Sequence, residues 1–197
     1  TDWIDAVTRK AIYSTSNLSV DGATEKNRFH IGLGYSYDEG LVKHTKYERL
    51  NLNVSDEYRV SSRLKVGFNF IGTREHLPYN SGALENARRA LPIVSDQTKS
   101  FFVKNPYGTD SGYYNLYSST PIIQNSETNP LATLEKNWDK KIDYRYRYLG
   151  NVYAELNLTK ELSIKGTWYA NISNEDDRTY TPLYYLYDPT FAPASQP

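Results

Sequence analysis

Few residues in this 197-residue chain have the type and spacing that chemistry requires. Its 3 histidines are His30, His44 and His76. None stands at metal-ligand spacing from another histidine or a carboxylate on a recognisable motif, so they read as surface or lumen side chains. There is no cysteine, which excludes a thiol nucleophile, a disulfide scaffold and a cysteine-ligated zinc site. No Gly-x-Ser-x-Gly, P-loop or dinucleotide fingerprint occurs. Glu175-Asp176-Asp177 offers hard oxygen ligands that suit calcium, and the plainer reading is a solvated loop tip. Glycoside hydrolysis would need two carboxylates across a cleft, and nothing in the sequence pairs any two. The expectation is a protein that is not an enzyme and needs no cofactor or metal.

The aromatic residues are the stronger signal: 19 Tyr, 6 Phe and 3 Trp. Amphipathic rings in such excess suit carbohydrate platforms or membrane-interface girdles. Tyr107, Tyr113, Tyr114, Tyr117 and Trp138 fall in one stretch. They are candidates for stacking on cargo or touching a lid, or they pack that stretch against itself. Tyr144-Arg145-Tyr146-Arg147-Tyr148 resembles an aromatic-basic nucleic-acid stripe. In a strand, its tyrosines would instead share the side of Val152 and Leu156, with Arg145 and Arg147 turned inward. Lys+Arg and Asp+Glu are both 23, so no excess positive charge supports a nucleic-acid partner. Four Asn-x-Ser/Thr sequons, at Asn17, Asn53, Asn157 and Asn171, fit polar alternation better than glycosylation.

The elements that must position these residues are strands. No run approaches the roughly 18 apolar residues of a membrane-spanning helix, which leaves a transmembrane β-barrel open. The absence of Met, and of a signal peptide at Thr1, predicts a processed or partial polypeptide. Period-two alternation predicts strands at about 11–20, 27–37, 45–57, 63–73, 144–158 and 162–173. At roughly ten residues each, they match what a tilted strand needs to cross a bilayer. Phe29, Ile31, Leu33, Leu50, Leu52, Val66, Phe68, Leu156 and Trp168 would face lipid. Arg28, His30, Arg49, Asn51, Lys65, Asn69, Arg145, Arg147 and Glu155 would face a lumen or plug.

The connections are lopsided. Asp21–Thr24, Tyr58–Ser62 and Thr159–Glu161 read as tight turns, and a longer turn begins at Asp38. The stretch at about 74–143 shows no clear strand alternation and reads as a long functional loop. By strand parity, the three tight turns lie at the end opposite this loop. Outer-membrane barrels have that asymmetry, with short periplasmic turns and long extracellular loops. Inside the loop, Ser81 to Leu91 predicts a short helix capped by Ser81 and ended by Pro92.

Several segments resemble the SusC/RagA family of TonB-dependent outer-membrane transporters. Thr1-Asp2-Trp3-Ile4-Asp5 looks like a family motif leading into a strand. Asn17-Leu18-Ser19-Val20-Asp21-Gly22, Gly32-Leu33-Gly34-Tyr35 with Glu39-Gly40, and Tyr47 through Asn53 with Leu64-Lys65-Val66-Gly67 are similar to its hairpins. Asn129-Pro130-Leu131-Ala132-Thr133-Leu134-Glu135 resembles a loop segment, and Leu149 through Glu155 the strand after it. The matches run in family order over nearly the whole chain. The resemblance implies an all-β antiparallel meander, part of a 22-stranded transmembrane barrel whose plug and N-terminal domain are absent here. It implies import of oligosaccharides, or of peptides, across a Bacteroidetes-type outer membrane. The implied partners are a SusD-like surface lipoprotein, the TonB–ExbB–ExbD complex, the rest of the barrel and its plug, and outer-membrane lipid. Asp21-Gly22-Ala23 departs from the family's usual Ser-Gly-Gly. A soluble β-sandwich carbohydrate-binding module is the alternative, and it predicts a fold that stands alone in water.

Overall fold

The structure, a computed structural model, describes residues 1–104, 112–120, 128–136, 138–139, 141–180 and 186–187. In chain order, the elements are α1 (Trp3–Val7), β1 (Tyr13–Ala23), β2 (Asn27–Glu39), β3 (Lys46–Arg59), β4 (Leu64–His76), α2 (Ala83–Arg89), β5 (Thr98–Val103), β6 (Gly112–Ser118), α3 (Pro130–Glu135), β7 (Lys141–Asn157), β8 (Ser163–Thr179) and β9 (Leu186–Tyr187). The main sheet runs β1-β2-β3-β4-β7-β8, every neighbour antiparallel. It is an all-β meander, interrupted once, between β4 and β7.

Its strands hold 11 to 17 residues, well above the five or six usual in soluble sheets. Residues paired across antiparallel strands share a face, so the register sorts every side chain. One row crosses the sheet as Leu18, Leu33, Leu52, Gly72, Tyr148 and Ile172. The next row on that face is Val20, Ile31, Val54, Phe70, Gly150 and Ala170. The opposite face carries Asn17, Gly34, Asn51, Thr73, Arg147 and Ser173. Ile71 and Leu149 are apolar exceptions on it. No second layer covers the apolar face among the described residues, and Leu18 and Trp168 are each 67% exposed.

The buried core lies elsewhere. Trp3, Val7, Ala83, Ala87, Val94 and Leu134 pack together where α1, α2 and α3 meet at one end of the sheet. Thr1–Asp5 does not lead directly into a strand. The Asp2 carboxylate accepts from the Ile4 and Asp5 amides, each at 3.1 Å, and starts α1. Trp3 and Val7, one turn apart, then point into the core. The Trp3 indole N–H donates to the Leu91 carbonyl at 3.0 Å, and Lys43 Nζ donates to the Ala6 carbonyl at the other end of α1.

Other differences from expectation have local causes. The helix expected at Ser81–Leu91 is shorter. Its N-cap is Gly82, at φ +72°, while the Ser81 hydroxyl accepts from the Ala83 amide at 3.1 Å. The stretch between β4 and β7 contains the β5–β6 hairpin, whose residues Thr98–Val103 and Gly112–Ser118 carry polar side chains on both faces and hide the alternation. β9 adds to β6 in parallel.

β8 runs through Glu175-Asp176-Asp177, so these three form no loop tip. Strand alternation sends Asp176 to the face opposite Glu175 and Asp177, which keeps the three from converging on one ion. Glu175 pairs instead with Arg145 at 3.1 Å, and Asp176 with Arg178 at 2.9 Å.

Candidate functional site

The polar face of the sheet gathers most of the charged residues singled out in the sequence. Arg28, His30, Arg49, Asn51, Lys65, Asn69, Arg145, Arg147 and Glu155 all lie on it by register. Most of them are held by neighbours on the same or an adjacent strand. Lys65 Nζ sits between two carboxylates, 3.5 Å from Glu57 and 3.4 Å from Glu155. The Tyr153 hydroxyl donates to Glu57 at 2.7 Å, and Lys165 lies over the Tyr153 ring at 4.5 Å. Nearer the insertion, Arg49 Nε donates to Asn51 Oδ1 at 2.8 Å, an atom that also accepts from the Thr73 hydroxyl at 3.2 Å. The Tyr47 hydroxyl donates to Glu75 at 2.6 Å. Asn69 donates to Asn151 at 3.1 Å, and His30 Nδ1 lies 2.6 Å from Asp21.

These pairs fix long polar side chains in place. The face they make can exchange hydrogen bonds with water, with a packed polar domain or with a passing solute. Tyr47, Glu57, Glu75 and Tyr153 belong to the network although sequence reasoning singled out none of them as a site. Their odd-numbered places in the alternation of β3, β4 and β7 were the available signal.

The aromatic candidates are not brought together. Tyr107 lies outside the described residues. Tyr113, 65% exposed, packs edge-on to Phe102 at 5.4 Å on one face of the β5–β6 hairpin. Tyr114 pairs with Phe101 on the other face. Tyr117 is on the Tyr113 side but half-buried near Glu135. Trp138 belongs to a different group: it stacks on His44, with centroids 4.3 Å apart and planes 10° from parallel. The His44 backbone is left-handed, at φ +65°, and its Nε2 lies 2.9 Å from Glu135. Burial first, and then the Glu135 charge, raise the phenols of Tyr79 and Tyr117 above their ordinary value. Both therefore stay protonated at neutral pH.

Asn129 organises the insertion. Fully buried, its Oδ1 accepts from the Leu131 amide at 3.0 Å and caps α3. Its Nδ2 donates to the Ser95 carbonyl at 3.2 Å and the Ser118 carbonyl at 3.0 Å. One amide thus ties α3 to the α2–β5 connection and to β6.

A wall of long antiparallel strands, apolar on one side and ionic on the other, is the architecture of a β-barrel segment. No family model matches the chain. It is similar to TonB-dependent receptor P26 of Formosa agariphila, 23% identical over 182 residues, which are 91% of this chain and 17% of that protein. It is also similar to TonB-dependent receptor SusC of Bacteroides thetaiotaomicron, 24% identical over 188 residues, covering 79% of this chain and 18% of that protein. A structure of the RagAB peptide transporter superposes with a TM-score of 0.60 at 20% identity, over 88% of this chain and 19% of that one. The chain thus spans 17% and 18% of the lengths of those two receptors. By sequence and fold together, it is similar to part of a SusC-like TonB-dependent receptor.

Proposed function

We propose that the chain is a wall segment of an outer-membrane transporter, a 22-stranded barrel that imports oligosaccharides or peptides. The observation that carries this reading is the two-sided sheet. An unpaired apolar face on strands of bilayer length is unfavourable in water and favourable against lipid. The ionic face then lines a lumen or contacts a plug. Parity supports one orientation: the connections after β1, β3 and β7 are short, and α1, the 40–45 loop and the β4–β7 insertion share the other end, which is extracellular in this reading. A SusD-like lipoprotein would close over that end, and the TonB–ExbB–ExbD complex would drive transport. The soluble-sandwich alternative needs a second sheet packed over the apolar face, whereas Leu18, Leu33, Leu52 and Trp168 on that face are exposed beside the small β5-β6-β9 sheet.

Uptake by cells carrying the complete receptor tests this. Labelled oligosaccharide or peptide should enter wild-type cells, and deletion of the receptor or of TonB should abolish entry. Entry undiminished in both deletions would defeat the proposal.

A further inference from the structure

The register that separates the two faces also marks where the apolar face ends. Toward the insertion, the row after Leu18, Leu33, Leu52, Gly72, Tyr148 and Ile172 is Ser16, Tyr35, Leu50, Arg74, Tyr146 and Asn174. The row beyond it is Ser14, Tyr37, Glu48, His76, Tyr144 and Asp176. Tyrosines and charges replace aliphatic side chains over these two rows, which is the make-up of a membrane–water boundary. Arg74 stands exposed in the first of them. Its guanidinium lies 4.6 Å from the centre of the Tyr144 ring, and that ring lies 4.8 Å from His76 and 6.4 Å from Tyr146. The ring takes one face of the guanidinium and leaves its edge of N–H donors open.

Among the described residues, no carboxylate pairs with Arg74 and no acceptor takes its N–H groups. The outward carboxylates at this end of the sheet are already committed: Glu48 to Lys46 at 3.2 Å, Asp176 to Arg178 at 2.9 Å, and Glu39 to Arg9 at 3.4 Å. One positive charge is therefore left over, at the level where the lipid-facing surface turns polar. That surplus defines the occupant. A planar fork of donors matches the oxygens of a phosphate. On an outward face at this depth, the anion that a side chain meets is a lipid headgroup, whose acyl chains lie along the apolar rows below. We infer that Arg74, backed by Tyr144, binds the phosphate of an outer-leaflet lipid. The inference rests on the transporter reading above, which places this end of the sheet outside, and adds a specific lipid contact to it.

The complete receptor, freed of lipid in detergent, should be titrated with phosphatidic acid and, separately, with phosphatidylcholine of the same acyl chains. Native mass spectrometry then counts the lipids retained. Phosphatidic acid, whose phosphate is uncovered, should be held more tightly than phosphatidylcholine. Arg74→Gln should weaken retention of the tightest phosphatidic acid about fivefold or more and leave phosphatidylcholine unchanged. Arg74→Lys, which keeps the charge and loses the fork, should fall between. Arg59→Gln removes a charge from the opposite face and should change nothing. Heat-modifiable gel migration checks that each variant remains a folded barrel. Three results overturn the inference: equal retention of the two lipids by the wild type, equal retention of phosphatidic acid by the wild type and Arg74→Gln, or an equal loss in Arg59→Gln. Where such a result comes from a receptor recovered folded from the outer membrane, the inference alone falls. A receptor absent from the outer membrane takes the transporter reading with it.

Discussion

At the scale of single residues, most of the informative side chains are structural. Asn129 illustrates this. It stands in a segment that sequence resemblance marks only as a motif, and the structure shows its amide using both ends at once. Asn129→Ala should remove a helix cap and orphan two carbonyls, costing the insertion about 2–3 kcal/mol. Asn129→Asp keeps the cap and loses only the donations, so it should fall between. Hydrogen exchange of α3 and β6 in the complete receptor would read both; equal protection in wild type and Asn129→Ala would refute the role. Gly67 makes a second case. A Cβ there would lie 2.5 Å from the Tyr153 ring, so the glycine makes room for the tyrosine that binds Glu57. Gly67→Val should displace Tyr153 and cost about 1–3 kcal/mol through overpacking, measurable by urea unfolding of the receptor in detergent. An unchanged midpoint would show that the ring moves freely.

The element scale is where the two faces become testable. Leu52 and Asn53 are neighbours in β3 and face opposite sides. Leu52→Arg places a charge against lipid and should cost about 2–4 kcal/mol at mid-membrane. Asn53→Arg enters a face that already holds Arg49 and should be tolerated. Equal damage, measured as folded receptor recovered from outer membranes, would overturn the face assignment. This part of the fold was legible in the sequence because a period of two is set by the pleat alone. Phe29, Ile31, Leu33 and Tyr35 declare their face without any knowledge of neighbours. The insertion was not legible for the opposite reason. Its hairpin and its helices of seven and six residues are too short to display a strong period, and of these elements only α2 was expected from the sequence. They are held instead by contacts distant in sequence, such as Trp3 with Leu91 and Asn129 with Ser95. The site was legible in the same proportion. Polar residues on strands could be sorted by face, whereas the aromatic candidates sit in the insertion, where spacing says nothing about which of them meet.

For the whole molecule, the sheet is an open structure with two edges, β1 and β8. Unpaired edges beside a broad apolar face invite aggregation in water. The 197-residue chain expressed alone should therefore be insoluble without detergent. A monodisperse, detergent-free monomer by light scattering would favour the soluble alternative. The central claim, that one face of this sheet meets lipid, has a more direct test. Spin labels placed singly at residues 50 to 54 of the complete receptor, in reconstituted membranes, report local accessibility to oxygen and to a water-soluble nickel reagent. At Leu50, Leu52 and Val54, oxygen should dominate. At Asn51 and Asn53, the nickel reagent should reach the label, unless a plug packed on that face shields both sites from both reagents. A period of two with lipid contact on the even residues is the predicted result. Uniform access of the nickel reagent to all five positions would contradict the account.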